Sequence, residues 1–203
     1  MATFAMSEAL TIIFKANDPT KAAKQISLSQ LGSIKLDKDE TKKMVTTIPR
    51  SSVLGFIIGV LPGAGATIAS FLAYGMERNF VNDEEKQKFG KGSVNGIAAP
   101  ETANNAACSG SFVPLLTLGI PGSGTTAVML GALLGFGIQP GPRLYQTNPE
   151  IFWSVIMSMY IGMVVLLILN LPLIPYIARV LATPRTFLIP LILFFSLTGV
   201  YLM

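Results

Sequence analysis

Two stretches of this 203-residue chain repeat one unusual order of residues: Leu61-Pro62-Gly63-Ala64-Gly65-Ala66-Thr67 and Ile120-Pro121-Gly122-Ser123-Gly124-Thr125-Thr126. Each is an apolar residue followed by Pro, Gly, a small residue, Gly, a small residue and Thr. Proline removes a backbone donor and glycine frees the backbone, so each pair ends a helix. Where a helix restarts beyond the break, its first N–H groups are unpaired and the dipole places about half a positive charge there. That arrangement suits a carboxylate. Gly63, Gly65, Gly122 and Gly124 let a ligand approach the backbone closely, and Thr67, Ser70, Ser123, Thr125 and Thr126 add hydroxyl contacts. Carbonyls on the other side of each break suit a sodium ion. Either motif alone reads more readily as an ordinary turn between short helices. The matched pair inside apolar runs favours one polar cavity, because irregular backbone at membrane depth is tolerated only inside protein or against water.

A second constellation is Pro100-Glu101-Thr102-Ala103-Asn104-Asn105-Ala106, a carboxylate and two amides at the mouth of an apolar segment. Ionisable groups near membrane depth are expensive and are functional candidates by default. Glu101 would bind a coupling proton or cation, and Asn104 and Asn105 would ligate an ion or donate to a substrate carboxylate. The competing reading is a helix start, with Pro early and Glu in the first turn; the two readings weigh equally on spacing. Arg143 reads as an interfacial anchor of its turn before it reads as a carboxylate clamp. The pairs Gly55/Gly59 and Gly131/Gly135 allow close helix approach, a spacing common by chance in membrane proteins.

The elements that must hold these residues are apolar. Hydrophobic residues make up 51% of the chain and charged residues 13%, with a mean hydropathy of +0.57, a balance that places it in a lipid bilayer. Met1 to Glu101 holds twelve of the fifteen Lys and Arg and ten of the eleven acids. The net charge of +4 comes from lysines interleaved with acids, a pattern of cytoplasmic retention and not of a nucleic-acid partner. The chain has no histidine and a single cysteine, Cys108, which removes histidine-based triads, histidine metal sites and an intrachain disulfide. An enzyme is disfavoured, and no cofactor is expected beyond a coupling sodium ion or proton. Met1 to Leu10 lacks the basic start of a signal peptide.

The expected fold is all-α: a polytopic transmembrane helical protein with broken or re-entrant helices at the Pro-Gly motifs. Residues 1–50 are expected to form an N-terminal segment and polar cytoplasmic loop, and residues 51–203 a transmembrane domain. Ser52 to Tyr74 is a hydrophobic run broken at Pro62-Gly63 into halves of about ten residues, where a full span needs about twenty. A polar loop is expected over Glu77 to Glu101, then a small-residue stretch from Thr102 to Ile138 broken at the second motif. Basic flanks on both sides of the first break imply a hairpin with its tip at Pro62-Gly63. Ile151 to Ile174 is the clearest spanning helix, with Pro172 and Pro175 placed to kink its end. A last apolar run, Phe187 to Met203, stops without a polar tail, as though cut.

Several of these strings stand in an order that resembles the large permease subunit of the tripartite tricarboxylate transporter family. They are Gly59 to Ala66, Ala69-Ser70, Tyr74, Phe89-Gly90-Lys91-Gly92, Ala99 to Ala106, Pro114 to Gly122 and Gln139-Pro140-Gly141-Pro142. The resemblance runs from Phe4-Ala5-Met6-Ser7-Glu8 almost to the end of the chain. It implies a multi-pass permease of the bacterial inner membrane that works with a small membrane subunit and a periplasmic solute-binding protein delivering citrate-like carboxylates. Transport by such a system is secondary, driven by sodium or protons. The family's Pro-Gly motifs fall on residues 61–66 and 120–125, and its acid-amide motif on Pro100 to Asn105. Family members are about twice this length, so the chain reads as a C-terminal half that lacks its N-terminal partner half. Two other readings stand beside this one: a non-transporting scaffold subunit or inactive fragment of a membrane complex, and, less favoured, an intramembrane enzyme.

Overall fold

A computed structural model of the chain describes residues 37–181 and 185–201, and all nine elements among them are helices. The order is α1 (Lys38–Val60), α2 (Gly65–Phe80), α3 (Asp83–Lys86), α4 (Val94–Gly110), α5 (Phe112–Leu118), α6 (Gly124–Gly135), α7 (Leu144–Thr147), α8 (Pro149–Leu181) and α9 (Arg185–Tyr201). The chain divides into two compact units. Lys35–Met163 carries both Pro-Gly breaks; Val164–Met203, with residues outside the described range, forms the other.

The larger unit is built on α1, α2 and α4. Its buried positions recur every four residues: Thr47, Ser51, Gly55 and Gly59 on α1; Ala69, Ala73 and Glu77 on α2; Asn95, Ala99, Ala103 and Ala107 on α4. Such a narrow small-residue stripe lets helix backbones approach closely, as in membrane helix pairs. A Cβ added to Gly55 would lie 2.3 Å from the Ala103 carbonyl oxygen, and one added to Gly59 would lie 2.3 Å from that of Ala107. Large apolar side chains of the same helices point outward instead, including Val53, Phe56, Ile57, Phe71 and Leu72. The packing of α1, α2 and α4 is small inside and large outside, the reverse of a water-soluble bundle.

Two loop expectations are corrected. The polar stretch before Arg50 is helical from Lys38 on, and α1 runs unbroken through the expected boundary at residues 50 and 51. A capping box starts it: the Asp37 carboxylate takes backbone N–H groups while Glu40 accepts from the Asp37 amide at 3.0 Å. The stretch from Glu77 to Glu101 holds the end of α2, α3 and the first two turns of α4, so little of it is loop. Both polar stretches fold because their charges find each other. Glu77, fully buried, accepts from Thr47 at 2.8 Å, Arg50 at 3.0 Å and Asn95 at 3.1 Å. The halves flanking the first break are therefore 23 and 16 residues long, not about ten. Residues 1–36, including Phe4 to Glu8 and most of the expected cytoplasmic loop, lie outside the described residues.

A smaller cluster ties α3 to this scaffold outside the apolar segments. Glu85, 7% exposed, accepts from Lys43 at 2.8 Å and Ser93 at 2.8 Å, with Lys88 at 3.5 Å. The Lys43 hydrogen bond, helped by Ser93 and opposed by burial, holds the Glu85 carboxyl below the usual carboxylate range. The folded protein thus binds this proton more weakly than the unfolded chain does. The stabilisation is complete above the ordinary value of 4.5 and is lost as pH falls through the folded-state value. In thermal unfolding, Glu85→Gln should melt below wild type at neutral pH, and the gap should close in acid. A gap unchanged by acidification would contradict the assignment.

Among the described residues, one helical segment is long and apolar enough to cross a membrane: Pro149–Ile174, 26 residues within α8. Helix α8 continues through Pro172 and Pro175 to Leu181.

Candidate functional site

Both Pro-Gly motifs interrupt the helices where the residues predict. The first break occupies Leu61 to Ala64, between α1 and α2. Gly63 and Gly65 there have φ of +82° and +69°, a region costing other residues about 1–2 kcal/mol. Helix α2 opens without a side-chain cap: Ala64 is helical in conformation and supplies none. Its first amides, from Gly65 on, are left to outside partners.

The second break runs from Gly119 to Ser123. Gly119 ends α5 in left-handed backbone at φ +71°, its N–H donating to the Leu115 carbonyl at 3.1 Å. A Cβ there would meet the Pro140 carbonyl oxygen at 2.8 Å, and the Gly141 amide donates to the Leu116 carbonyl at 3.2 Å. The Gln139-to-Arg143 turn thus locks the end of α5. Helix α6 then opens with a capping box, in which the Thr126 amide donates to Ser123 Oγ at 3.2 Å and the Ser123 amide to Thr126 Oγ1 at 2.8 Å. The amides of Gly124 and Thr125 take no part in this box.

The two breaks come close together. Gly122 is buried, and a Cβ on it would lie 3.0 Å from Ser111 Cβ and 3.5 Å from the carbonyl oxygen of Gly59, two residues before the first break begins at Leu61. Gly110 presses on the same corner: its Cβ would meet the Phe56 carbonyl oxygen at 2.5 Å. Glycine is required at this junction for space, not for its dihedral freedom.

The remaining candidates divide by what they already bond. Ser123 and Thr126 are committed to each other, and Thr126 is 1% exposed. Ser70 donates to the Ala66 carbonyl at 3.0 Å and across to the Pro100 carbonyl at 3.2 Å, so it joins α2 to the acid-amide motif. Thr67 and Thr125 are exposed, with no side-chain hydrogen bond among the described residues, and Gly124 has open space where a Cβ would stand.

Glu101, Asn104 and Asn105 lie on α4 away from its Ala99/Ala103/Ala107 stripe. The Asn105 amide folds back onto the Glu101 carbonyl at 2.9 Å, and the Cys108 thiol reaches Asn104 Oδ1 at 3.8 Å. The Glu101 carboxylate is exposed and has no partner among the described residues. The helix-start reading of this motif is overturned: α4 begins at Val94, capped by Ser93, whose Oγ accepts from the Gly96 amide at 3.1 Å. Pro100 and Glu101 therefore sit inside the helix.

Sequence reasoning missed Thr47, Arg50, Glu77 and Asn95, the buried polar residues that join α1, α2 and α4. The four-residue spacing from Thr47 through Gly59, matched by Asn95 through Ala107, was the available signal.

The family model described as Tripartite tricarboxylate transporter TctA family matches residues 1–203. An Agrobacterium vitis protein described as an uncharacterized 52.8 kDa protein in the TAR-I ttuC' 3' region is 40% identical over 178 residues, 88% of this chain and 35% of that protein. A second from the same organism, described as uncharacterized in the TAR-II ttuC' 3' region, is 46% identical over 147 residues, 72% of this chain and 60% of that protein. This chain thus spans less than two thirds of either relative's length. No solved structure matches it.

Proposed function

We propose, from the premise that the chain belongs to the tripartite tricarboxylate transporter TctA family, that it forms part of a multi-pass inner-membrane permease whose two Pro-Gly breaks line one carboxylate site. The observation that carries this reading is the contact of Gly122, in the second break, with Ser111 and the Gly59 carbonyl beside the first. Two uncapped or partly capped helix starts then share one neighbourhood. The amides of α2 from Gly65 on, with those of Gly124 and Thr125 and the exposed hydroxyls of Thr67 and Thr125, hold a carboxylate without any buried cation. Gly63 sets the turn and Gly122 the approach. Ser70, Ser123 and Thr126 keep these groups in position.

Membrane placement draws on the inside-out packing of α1, α2 and α4 and on the apolar length of α8. Outward Phe, Ile, Val and Leu suit lipid or other permease helices, and an Ala/Gly interior suits helix association in lipid. Coupling falls to Glu101, Asn104 and Asn105. Ser70 donates to the carbonyl of Pro100, the residue before Glu101, and so joins α2 to α4 beside this motif. Either sodium or a proton would serve as the coupling ion. The rest of the permease completes the site between repeats, as in other secondary transporters. A small membrane subunit and a periplasmic binding protein for organic carboxylates complete the system.

The test is uptake of radiolabelled di- and tricarboxylates into vesicles holding the reconstituted complex, with and without a sodium or proton gradient. Gradient-driven uptake that requires this segment is expected. Full uptake by a complex lacking it would leave the chain a scaffold.

A further inference from the structure

Helices α1 and α4 run parallel. Asn95 donates to Thr47 at 2.8 Å, and a Cβ on Gly55 or Gly59 would meet the carbonyl of Ala103 or Ala107, so every pair is 48 residues apart. Both helices start from the basic end of the unit, where Lys38 to Arg50 and Arg78 to Lys91 together hold eight Lys or Arg, the mark of a cytoplasmic face. Helix α5 carries on where α4 stops. Ser111 between them keeps helical backbone, with φ −67° and ψ −15°, and still donates to the Ala107 carbonyl at 3.0 Å. Pro114, with no N–H to offer the Gly110 carbonyl, accounts for the interruption. From Asn95 to Leu118 the two helices rise about 35 Å, more than the roughly 30 Å of a hydrocarbon core. Arg50 to Val60 rises only about 15 Å. The first break therefore stops near mid-depth, while α5 reaches the face opposite the basic end.

The turn from Gln139 to Arg143 is fastened to that far end. The Gly141 amide donates to the Leu116 carbonyl at 3.2 Å, and a Cβ on Gly119 would lie 2.8 Å from the Pro140 carbonyl oxygen. Charge agrees with this placement, because Arg143 and Glu150 are the only charged residues from Thr102 to Ala178. Tyr145, Phe152 and Trp153 stack edge-on beside it, with successive ring centroids 6.5 and 5.4 Å apart, and Tyr and Trp gather at the headgroup level of a bilayer.

The turn presents a polar surface. Leu144 points inward and is 1% exposed, whereas Pro142, Arg143, Gln146 and Thr147 are exposed, as is Tyr145. Helix α1 does the opposite, with Val53, Phe56 and Ile57 outward. Arg143 makes no side-chain hydrogen bond or ion pair among the described residues. An exposed arginine beside an exposed tyrosine on a pinned turn is the composition of a protein interface and not of a lipid-facing one. Resting on the tripartite assembly proposed above, we infer that this turn receives the soluble carboxylate-binding subunit on the periplasmic face, with Arg143 taking a carboxylate of that subunit's own surface. Docking there has a route to the transport site. The turn holds Leu116 and Gly119, so a partner that moves it moves the start of the second break.

Binding of the purified soluble subunit to the full-length permease in nanodiscs tests this. Arg143→Glu and Tyr145→Ala should each weaken binding by about tenfold or more while melting as wild type does, and Lys91→Glu, on the basic end, should bind normally. Arg143→Gln carries this arm should Arg143→Glu fail to fold. In spheroplasts expressing an otherwise cysteine-free permease, Gln146→Cys should react with an impermeant thiol reagent, and Lys91→Cys only after permeabilisation. Wild-type affinity in both turn variants, no binding to the wild-type permease, or a Gln146→Cys reached only after permeabilisation would overturn the proposal. Binding losses that appear in anionic nanodiscs and vanish in neutral ones would also overturn it, making Arg143 a headgroup anchor. Neither readout is uptake, so failure of the carboxylate site would leave both unchanged.

Discussion

Gly63→Val and Gly122→Val are each expected to abolish carboxylate uptake while the protein still inserts and reaches normal membrane levels. The two act by different routes. At Gly63 there is open space around a Cβ, but the backbone stands at φ +82°. A β-branched residue is a strong outlier there, so the turn rearranges and the first amides of α2 lose their aim. At Gly122 the obstacle is contact, since the Cβ alone would lie 3.0 Å from Ser111 Cβ. Two further methyl groups push the second break away from the Gly59 corner and open the shared neighbourhood. Neither position lies on the buried stripe where Gly55 meets Ala103 and Gly59 meets Ala107, which is why insertion should survive. Gly124→Ala, with open space around it, serves as the mild control and should retain most uptake. Normal uptake by both valine variants would remove the site assignment.

Gly55→Val or Gly59→Val should instead prevent folding. A Cβ at either position lies 2.3 Å from a carbonyl oxygen and 2.6 Å from a Cα of α4, and backbone cannot swing aside as a side chain can. Overpacking of a tight core costs about 1–3 kcal/mol where side chains can yield, and more is expected here because α1 and α4 must separate. That separation would also pull Thr47 and Arg50 from Asn95 and Glu77. Detergent-solubilised variants should run as aggregates on size exclusion. A monodisperse Gly59→Val protein with wild-type melting would show that α1 and α4 are not packed through this stripe.

The two breaks were legible because Pro-Gly acts locally: it removes a donor and opens a dihedral region whatever surrounds it. The polar flanks were not. Lys38 to Arg50 and Val94 to Glu101 look like loop when polarity is taken as a sign of solvent, but Thr47, Arg50 and Asn95 are polar toward Glu77, thirty residues from Thr47 in sequence. Pairing of that kind is tertiary, and composition cannot reveal it. Gly55/Gly59 carried a real signal that its frequency in membrane proteins made easy to discount. What distinguishes it is the matched spacing of Ala99, Ala103 and Ala107, a comparison between two helices. The acid-amide motif was misplaced for a related reason. Proline is commonest in a helix's first turn, yet Ser93 caps α4 well ahead of Pro100. Ser70 shows the same limit, since its bond to the Pro100 carbonyl follows from packing alone.

The central claim is that the helix starts after the two breaks face one water-filled carboxylate site, and substrate protection of single cysteines tests it most directly. In a Cys108→Ser background, Thr67→Cys and Thr125→Cys would be labelled in the reconstituted complex with a hydrophilic thiol reagent, with and without transported carboxylate. Labelling at both positions, slowed at both by the same carboxylate over the same concentration range, is the predicted result. Cysteines that resist the reagent, or protection at one position but not the other, would contradict it.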